Sequence, residues 1–204
     1  MNFTGTSSNL FGKTPHLTDT PPHPDPLPYG EGKVPGVIVT NNDILRRVRY
    51  ALRISDPAMI AIFSLSAHII EPPVLDGLLK KEDEAGYLDC SDILMALFLD
   101  GLIIQKRGLK AYATGSRSKT DTPLTNNAIL KKLRIALELR EDDMIAVMKL
   151  VDIVISKSEL SALFRNNEHK NYKECGDQFL RNFLKGLTIR NRNLPTAFQL
   201  THPG

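Results

Sequence analysis

The chain of 204 residues is 42% apolar and 24% charged, which suits one or two globular domains with a real core. Its 2 cysteines are too few for a disulfide framework, and its apolar runs are too short to span a bilayer. The formal net charge is +3, which excludes a strongly basic or acidic protein. We therefore expect a soluble, cytoplasmic protein with no membrane attachment.

Residues 1–39 differ in composition from the rest of the chain. They are rich in proline, most densely in Thr20–Pro28, and show neither helical nor strand periodicity, so we expect a disordered segment. The stretch Pro22–Gly32 is also similar to the peptide produced when a bacterial repetitive intergenic element is translated. Two interpretations stay open: a start of translation near Val37 or Val39, or a genuine disordered tail.

An internal repeat dominates the remaining sequence. The segment Thr40–Arg49 returns as Thr125–Arg134, an offset of 85 residues, and Tyr87–Asp92 returns as Tyr172–Asp177. About a third of the positions are identical, and most others exchange one apolar residue for another. The repeat is too extensive to arise by chance.

The repeat defines the predicted domains. The first copy is residues 40–107, with 8 basic and 10 acidic side chains, and the second is residues 125–192, with 13 and 9. Residues 108–124 form a polar linker and residues 193–204 a C-terminal tail. The second copy is thus the more basic of the two.

The first two helices of each copy follow from apolar spacing and capping residues. The first helix is predicted from about Asn42 to Leu52, with asparagine as its N-cap. The second begins at Asp56, where aspartate precedes a proline in the first turn. Its counterpart begins near Glu141.

The last two helices complete the unit. The third helix follows Pro72 in the first copy, and in the second it follows the capping box Ser156–Glu159. The fourth begins near Asp92 and near Asp177. Since strand signals are thin, we predict an all-α fold. Because four short helices bury little apolar surface, we also expect the two copies of the four-helix unit to pack against each other about a pseudo-twofold axis.

With both copies laid out, residues 40–192 resemble the YehS-like family of bacterial proteins, a tandem domain-of-unknown-function family. The residues that carry the resemblance are Asn42–Arg46, Lys81–Glu84 and His169–Arg181. Family members begin just before the first Asn-Asp pair, so residues 1–39 depart from the pattern. The resemblance implies no known activity, cofactor or catalytic residue.

The sequence offers little for catalysis or metal binding. It contains no Gly-x-Ser-x-Gly, His-Glu-x-x-His or Cys-x-x-Cys motif and no Gly-rich nucleotide loop. We expect Cys90 and Cys175 to be reduced and buried as small apolar residues, and we expect no cofactor, no metal and no enzymatic activity. An alternative is an enzyme with an unrecognised site around His169, Glu174 and Asp177.

Several polar positions are identical in both copies, which indicates structural roles because an enzyme site is seldom needed twice. We predict that Asp92 and Asp177 cap the fourth helix or accept hydrogen bonds from Arg49 and Arg134. We also predict that the rings of Tyr87 and Tyr172 pack beside these groups, with their hydroxyls at the surface. The predicted structural positions are Arg49, Tyr87, Cys90 and Asp92, and their equivalents Arg134, Tyr172, Cys175 and Asp177.

Our leading hypothesis is a helical interaction module that binds a protein partner through a groove between its halves. The alternative is a nucleic-acid-binding regulator that uses the basic surface of the second copy. The residues predicted for that surface are Lys131, Lys132, Arg134, Lys170, Lys173, Arg181 and Lys185.

Overall fold

Eight α-helices and no β-strand are found in the residues that the computed structural model describes, which are 1, 39–115 and 123–193. The first copy contains α1 (Asn41–Leu52), α2 (Asp56–Leu65), α3 (Pro72–Leu79) and α4 (Asp92–Gly115). The second contains α5 (Asn126–Ala136), α6 (Glu141–Lys149), α7 (Lys157–Ala162) and α8 (Asp177–Asn193). The prediction of an all-α fold with four helices in each copy is confirmed.

The first helix of each copy is capped by a threonine, so the predicted asparagine cap is wrong. Thr40 has extended backbone angles (φ −82°, ψ 155°), and its hydroxyl accepts a hydrogen bond from the Asp43 amide at 3.2 Å. Thr125 accepts the equivalent bond from the Ala128 amide at 3.2 Å. Because threonine fills the capping position, the asparagines that follow it lie inside the helix and make other bonds.

The remaining helix starts agree more closely with the sequence. The N-cap of α2 is Ser55, and Asp56 is the first helical residue rather than the cap. The predicted capping box before α7 is confirmed, since the Glu159 amide donates to the Ser156 hydroxyl at 3.2 Å and the Ser156 amide donates to the Glu159 carboxylate at 3.0 Å.

The first two helices of each copy end in the same way. Each is followed by a non-glycine residue in the left-handed region, and the next amide donates to a carbonyl five residues earlier, as in a Schellman motif. The left-handed residues are Arg53 (φ 52°), Ala67 (φ 59°), Glu138 (φ 53°) and Asp152 (φ 60°). The two copies therefore share their loop backbones as well as their helices.

The two copies interlock. Helix α1 packs along α8 and α4 packs along α5, whereas α2 on α4 and α6 on α8 are the main contacts within a copy. The side chains that fill these seams, such as Leu45, Val48, Leu130 and Leu133, are fully buried. Because the first helix of each copy makes its largest contact with the last helix of the other, neither copy encloses a complete core by itself.

Two hydrogen bonds cross between the copies at equivalent places. The Val39 amide donates to the Asp177 carboxylate at 3.0 Å, and the Leu124 amide donates to the Asp92 carboxylate at 3.0 Å. Val39 and Leu124 are themselves equivalent residues, as are the two aspartates. This reciprocal pattern is that of a pseudo-twofold axis, as predicted.

Helical structure continues into the predicted linker. Helix α4 is interrupted at Gly108, which has φ 77° and ψ 167°, and then runs on to Gly115. Residues 116–122 of the linker and 194–204 of the predicted tail lie outside the described residues. So do residues 2–38, on which the prediction of a disordered segment falls.

Two glycines allow the helices within each copy to approach closely. A Cβ atom on Gly101 would overlap the carbonyl oxygen of Ile62, and a Cβ atom on Gly186 would overlap that of Val147. These glycines are equivalent, and each lies where the fourth helix crosses the second. Glycine is therefore required here by the distance between two backbones rather than by its own conformation.

We expect Gly101→Ala and Gly186→Ala each to lower the free energy of unfolding by at least about 2 kcal/mol, because the methyl group forces the packed helices apart. Urea denaturation followed by circular dichroism measures the change. The matched control is Gly176→Ser, since no atom lies within 4 Å of a Cβ atom at that position. Losses for the helix-crossing variants no larger than for this control would contradict the close approach.

Candidate functional site

A buried asparagine ties three segments of the first copy together. The Asn42 amide nitrogen donates to the carbonyls of Leu78, at 2.9 Å, and Leu88, at 2.8 Å. Its oxygen accepts from the Cys90 amide at 2.9 Å and from the Tyr87 hydroxyl at 3.0 Å. Asn42 is 1% exposed, so these bonds satisfy an amide that water does not reach.

The second copy repeats three of these four bonds. The Asn127 amide nitrogen donates to the carbonyls of Leu163 and Lys173, and its oxygen accepts from the Cys175 amide at 2.8 Å. We call Asn42 and Asn127, with these bonds, the asparagine clamps. Sequence reasoning assigned the asparagines to helix capping and missed this role. Their identity in both copies was the available signal.

The conserved position of the two aspartates within the repeat has a structural explanation. Asp92 accepts from the Asn41 amide nitrogen at 2.8 Å, and Asp177 accepts from the Asn126 amide nitrogen at 2.7 Å. The other carboxylate oxygen of each aspartate accepts the bond between copies described above. At α4 the side-chain cap is Ser91, whose hydroxyl accepts from the Leu94 amide at 3.3 Å. The aspartates therefore connect the copies rather than cap the helices.

The predicted pairing of these aspartates with Arg49 and Arg134 is wrong. Arg49 forms its ion pair with Asp56. The Arg134 Nε atom donates to the Leu139 carbonyl at 3.2 Å, and its guanidinium lies 4.7 Å from the centre of the Phe164 ring. Both arginines thus hold the loop that follows the first helix of their own copy.

The prediction placed the Tyr87 hydroxyl at the surface, but this hydroxyl donates a hydrogen bond to the Asn42 clamp and lies 3.4 Å from the Asp89 carboxylate. Desolvation and this carboxylate raise the pKa of Tyr87 above its usual value. Tyr172 is partly exposed.

The cysteines lie where the sequence predicts them, in the core. Cys90 is 2% exposed and Cys175 is 1% exposed, and both are free thiols. Burial, reinforced by neighbouring carboxylates, raises the pKa of each thiol to about 12. A neutral, buried thiol is a poor nucleophile and a poor metal ligand.

The residues of the alternative catalytic site are engaged separately. His169 is exposed, and its Nδ1 atom accepts from the Asn171 amide at 3.1 Å. Glu174 is exposed, and Asp177 is occupied by its bonds to Asn126 and Val39. Within the described part of the chain, no group of three or more His, Cys, Asp or Glu side chains is placed to hold a metal ion.

One of the predicted nucleic-acid contacts is buried. Lys132 is 4% exposed and forms an ion pair with Asp100, which is 5% exposed, so that α5 is joined to α4 across the seam between the copies. Burial raises the pKa of Asp100, and the hydrogen bond and charge of Lys132 oppose that rise. The prediction that Lys132 contacts phosphates is wrong, because its helix face is turned toward α4.

The other predicted basic residues divide into two groups. Lys131, Lys170 and Lys173 are exposed. Arg134 is held by Phe164 and Leu139, Lys185 is partly buried, and the Arg181 Nε atom lies 4.0 Å from the Asp43 carboxylate on α1. Of the seven residues predicted for the basic surface of the second copy, three are therefore exposed.

An open cavity of about 310 Å³ lies between the copies, where α1, α4 and α5 begin. Most of its lining side chains that bear hydrogen-bonding groups, among them Asn41, Asp92 and Asn126, already bond within the protein. The cavity is a polar recess, and the cysteine that lines it, Cys90, is a buried thiol whose pKa is raised to about 12. Its lining residues are Val39, Thr40, Asn41, Ile44, Asp89, Cys90, Ser91, Asp92, Leu124, Asn126 and Ile129.

Two equivalent loops expose large apolar side chains. In the first copy Leu65 is 42% exposed and Ile69 is 85% exposed; in the second copy Leu150 is 44% exposed and Val154 is 95% exposed. Leu150 and Val154 stand 85 residues after Leu65 and Ile69, so the two sets are equivalent. We call them the apolar loop pairs. Sequence reasoning missed them because periodicity identifies buried faces and not exposed loop residues.

Comparison with known proteins identifies a family and a relative of the chain. A family model described as a protein of unknown function, DUF1456, matches residues 41–108 and again residues 126–193. The uncharacterized protein YehS of Escherichia coli (strain K12) is 41% identical over 150 residues, covering 74% of this chain and 95% of YehS. No solved structure matches the chain. None of the described helices is long and apolar enough to cross a membrane.

We expect Asp100→Asn to lower the free energy of unfolding by about 3 kcal/mol, because it removes the carboxylate partner of a buried ammonium group. Adding Lys132→Met to the same chain restores most of the loss, since no buried charge then remains. Urea denaturation at pH 7 measures both values. As a control, Lys131→Met on the exposed side of α5 changes the free energy of unfolding by less than about 0.5 kcal/mol. A loss for Asp100→Asn as small as this would contradict the role given to the pair.

We expect neither cysteine of the folded protein to react with a thiol-disulfide reagent at pH 8. A pKa of about 12 leaves on the order of one thiolate in ten thousand thiols at that pH, and burial blocks access. Both cysteines react once the protein is unfolded in concentrated urea. Ser158→Cys supplies an exposed control thiol that reacts in the folded state. Rapid labelling of Cys90 or Cys175 in the native protein would contradict this prediction.

Proposed function

The chain belongs to the DUF1456 family, whose function is unknown, and we propose that this protein is a non-catalytic helical module that binds a protein partner. The observation that supports the proposal is the pair of exposed apolar side chains that recurs in both copies. The binding surface we propose is these two loops rather than the polar cavity between the halves.

The recurrence matters because single exposed apolar residues are common on protein surfaces and need no explanation. Only about a third of the repeat positions are identical, so a surface position had ample opportunity to become polar in one copy. Leucine nevertheless stands at both 65 and 150, and a β-branched aliphatic residue stands at both 69 and 154. The same apolar character at the same exposed place in both copies favours a shared binding role.

Folding alone does not require these side chains. The loop backbones are held by hydrogen bonds from the His68 amide to the Phe63 carbonyl and from the Ile153 amide to the Met148 carbonyl, each of 3.1 Å. The neighbouring Ile70 is the residue that enters the core, at 5% exposed. An aliphatic side chain in water at position 69 or 154 therefore adds nothing to the core, but burial against a partner would gain about 1.5–3 kcal/mol per side chain.

The charges of the loops point to the chemistry of the partner. Residues 65–71 and 150–156 contain no lysine or arginine, and each loop has one acidic residue, Glu71 or Asp152. Neither loop supplies a cation of its own for a phosphate group, although the exposed Lys149 and Lys157 flank the second loop, so nucleic acid is a poor match for the loops themselves. The partner we propose presents apolar side chains bordered by neutral or basic residues.

The test compares the wild-type protein with the double variant Ile69→Ser, Val154→Ser as tagged baits in the cells from which the chain comes. Proteins retained by the wild type are identified by mass spectrometry, and each candidate is then purified and titrated against both baits. We expect a candidate to bind the wild-type protein directly, and the double variant to bind at least about tenfold more weakly, because two anchoring side chains are lost.

The matched control is Ile93→Ser, which removes an apolar side chain that is 60% exposed. The equivalent residue in the second copy is Gln178, so this exposed apolar residue occurs in one copy only. We expect this control to bind like the wild type, and all three proteins to melt at similar temperatures. Equal affinity of the double variant, or a salt-sensitive shift of duplex DNA or RNA in place of any protein partner, would overturn the proposal.

A further inference from the structure

We propose that the seam between α1 and α8 is a binding site for a small molecule that carries a phosphate dianion. The side chains that would hold the phosphate are Arg46 and Arg47 on α1 and Arg181 on α8, which we call the arginine cluster. The site lies apart from the apolar loop pairs, and it does not depend on the partner proposed for them.

The three arginines converge on one carboxylate. The Arg47 Nε atom donates a hydrogen bond to the Asp43 Oδ2 atom at 2.8 Å. The Arg181 Nε atom lies 4.0 Å from the same oxygen, and the Arg46 Nη2 atom lies 3.8 Å from Oδ1. In the part of the chain that the structure describes, Asp43 is the one carboxylate this close to Arg46 and Arg181. Since Arg47 already engages that carboxylate, Arg46 and Arg181 bring two further positive charges to the same place.

Water screens this cluster only in part. The side chains of the arginine cluster and of Asp43 are between 15% and 24% exposed. The Nε atoms of Arg47 and Arg181 lie no more than about 7 Å apart, because both are close to one oxygen, and like charges at that distance repel. The Nε atoms of Arg46 and Arg181 are buried without a hydrogen-bond partner among the described residues. An added anion at the exposed ends of these guanidinium groups would relieve the repulsion and accept hydrogen bonds.

The equivalent seam shows that helix packing does not require so much positive charge. Across the α4–α5 seam, Lys132 forms its ion pair with Asp100, so one cation meets one carboxylate. The residues equivalent to Lys132 and Asp100 are Arg47 and Lys185, so the repeat places a cation opposite a cation across the α1–α8 seam. The same contact between helices is thus made with balanced charge in one seam and with added positive charge in the other. A ligand gives that added charge a role.

The charge and shape of the cluster point to a phosphate dianion. A phosphate monoester carries about −1.5 to −2 charges at pH 7, which matches the two charges that Arg46 and Arg181 bring. The planar fork of a guanidinium group also fits two phosphate oxygens at once.

A nucleic-acid backbone is a poorer match for the cluster. Each of its phosphodiesters carries a single charge, and a long backbone needs an open track of cations, whereas these arginines are mostly buried. The Arg46 Nη1 atom donates to the carbonyl of Lys80, and the acidic stretch Glu82–Glu84 follows close behind. An extended polyanion leaving the cluster on that side would be repelled, so the ligand we propose is small.

The experiment titrates the full-length protein with methyl phosphate at pH 7 and at constant ionic strength set with chloride, followed by calorimetry. We expect a dissociation constant of about 1 mM or tighter. Dimethyl phosphate, which carries one charge and resembles a backbone phosphodiester, should bind at least about tenfold more weakly. Inorganic phosphate, the other small source of the dianion, is titrated in parallel, and the tighter of the two dianions identifies the source.

Three variants locate the site. We expect Arg181→Gln to bind methyl phosphate at least about tenfold more weakly, because a charged donor is lost. Asp43→Asn should bind it about threefold more tightly or better, because the competing carboxylate is removed. The matched control is Lys131→Gln, since Lys131 is the exposed equivalent of Arg46 in the second copy and its removal should leave binding unchanged. Thermal melting by circular dichroism confirms that each variant is folded.

Several results would overturn the proposal. One is a wild-type protein that binds neither methyl phosphate nor inorganic phosphate at about 10 mM. Another is unchanged binding by folded Arg181→Gln; if that variant does not fold, equal or weaker binding by Asp43→Asn decides the matter in the same way. A DNA oligonucleotide that binds more tightly than methyl phosphate and depends equally on Arg181 would assign the cluster to nucleic acid instead.

Discussion

The packing of the first helix of each copy on the last helix of the other is the constraint on which the rest of the fold depends. It makes one continuous core out of two units that are each too small to enclose their own apolar surface. The polar residues that are identical in both copies support this packing. Asn42 and Asn127 set the position of the first helix within its copy, and Asp92 and Asp177 join that copy to the other.

Most of the architecture could be predicted from the sequence, because the repeat made each copy a check on the other. A helix indicated weakly in one copy, such as α3 after Pro72, had a stronger counterpart in the capping box at Ser156. Glycines and apolar residues match at the single offset of 85 residues, which indicates two similar units. Because each unit is small and has an apolar face to bury, the two units were expected to pack together.

The errors concern side chains whose partners lie on another element. Asparagine is a residue type that often caps helices, and only the positions of Leu78, Leu88 and Cys90 show that Asn42 is a buried clamp. Lys132 stands in a basic stretch that suggested an exposed surface, but α4 covers it and supplies Asp100. Helical periodicity identifies the face of a helix that is buried; it cannot identify which charge lies opposite.

The functional proposal rests on the same distinction between residues that hold the fold and residues that do not. The clamps, the bridging aspartates and the close-approach glycines all have structural explanations. The apolar loop pairs have none within a single chain, which is why they are the surface we assign to a partner. The two halves thus present loops of the same backbone conformation at equivalent sites.

The interlocked core is tested most directly by native-state hydrogen exchange monitored for each helix. If the two copies form one cooperative unit, the most protected amides of α1 and α4 will exchange with the same free energy as those of α5 and α8. That free energy will equal the global value from denaturation. Protection that is lost in one copy while it persists in the other would mean that the halves fold independently, and would contradict the account.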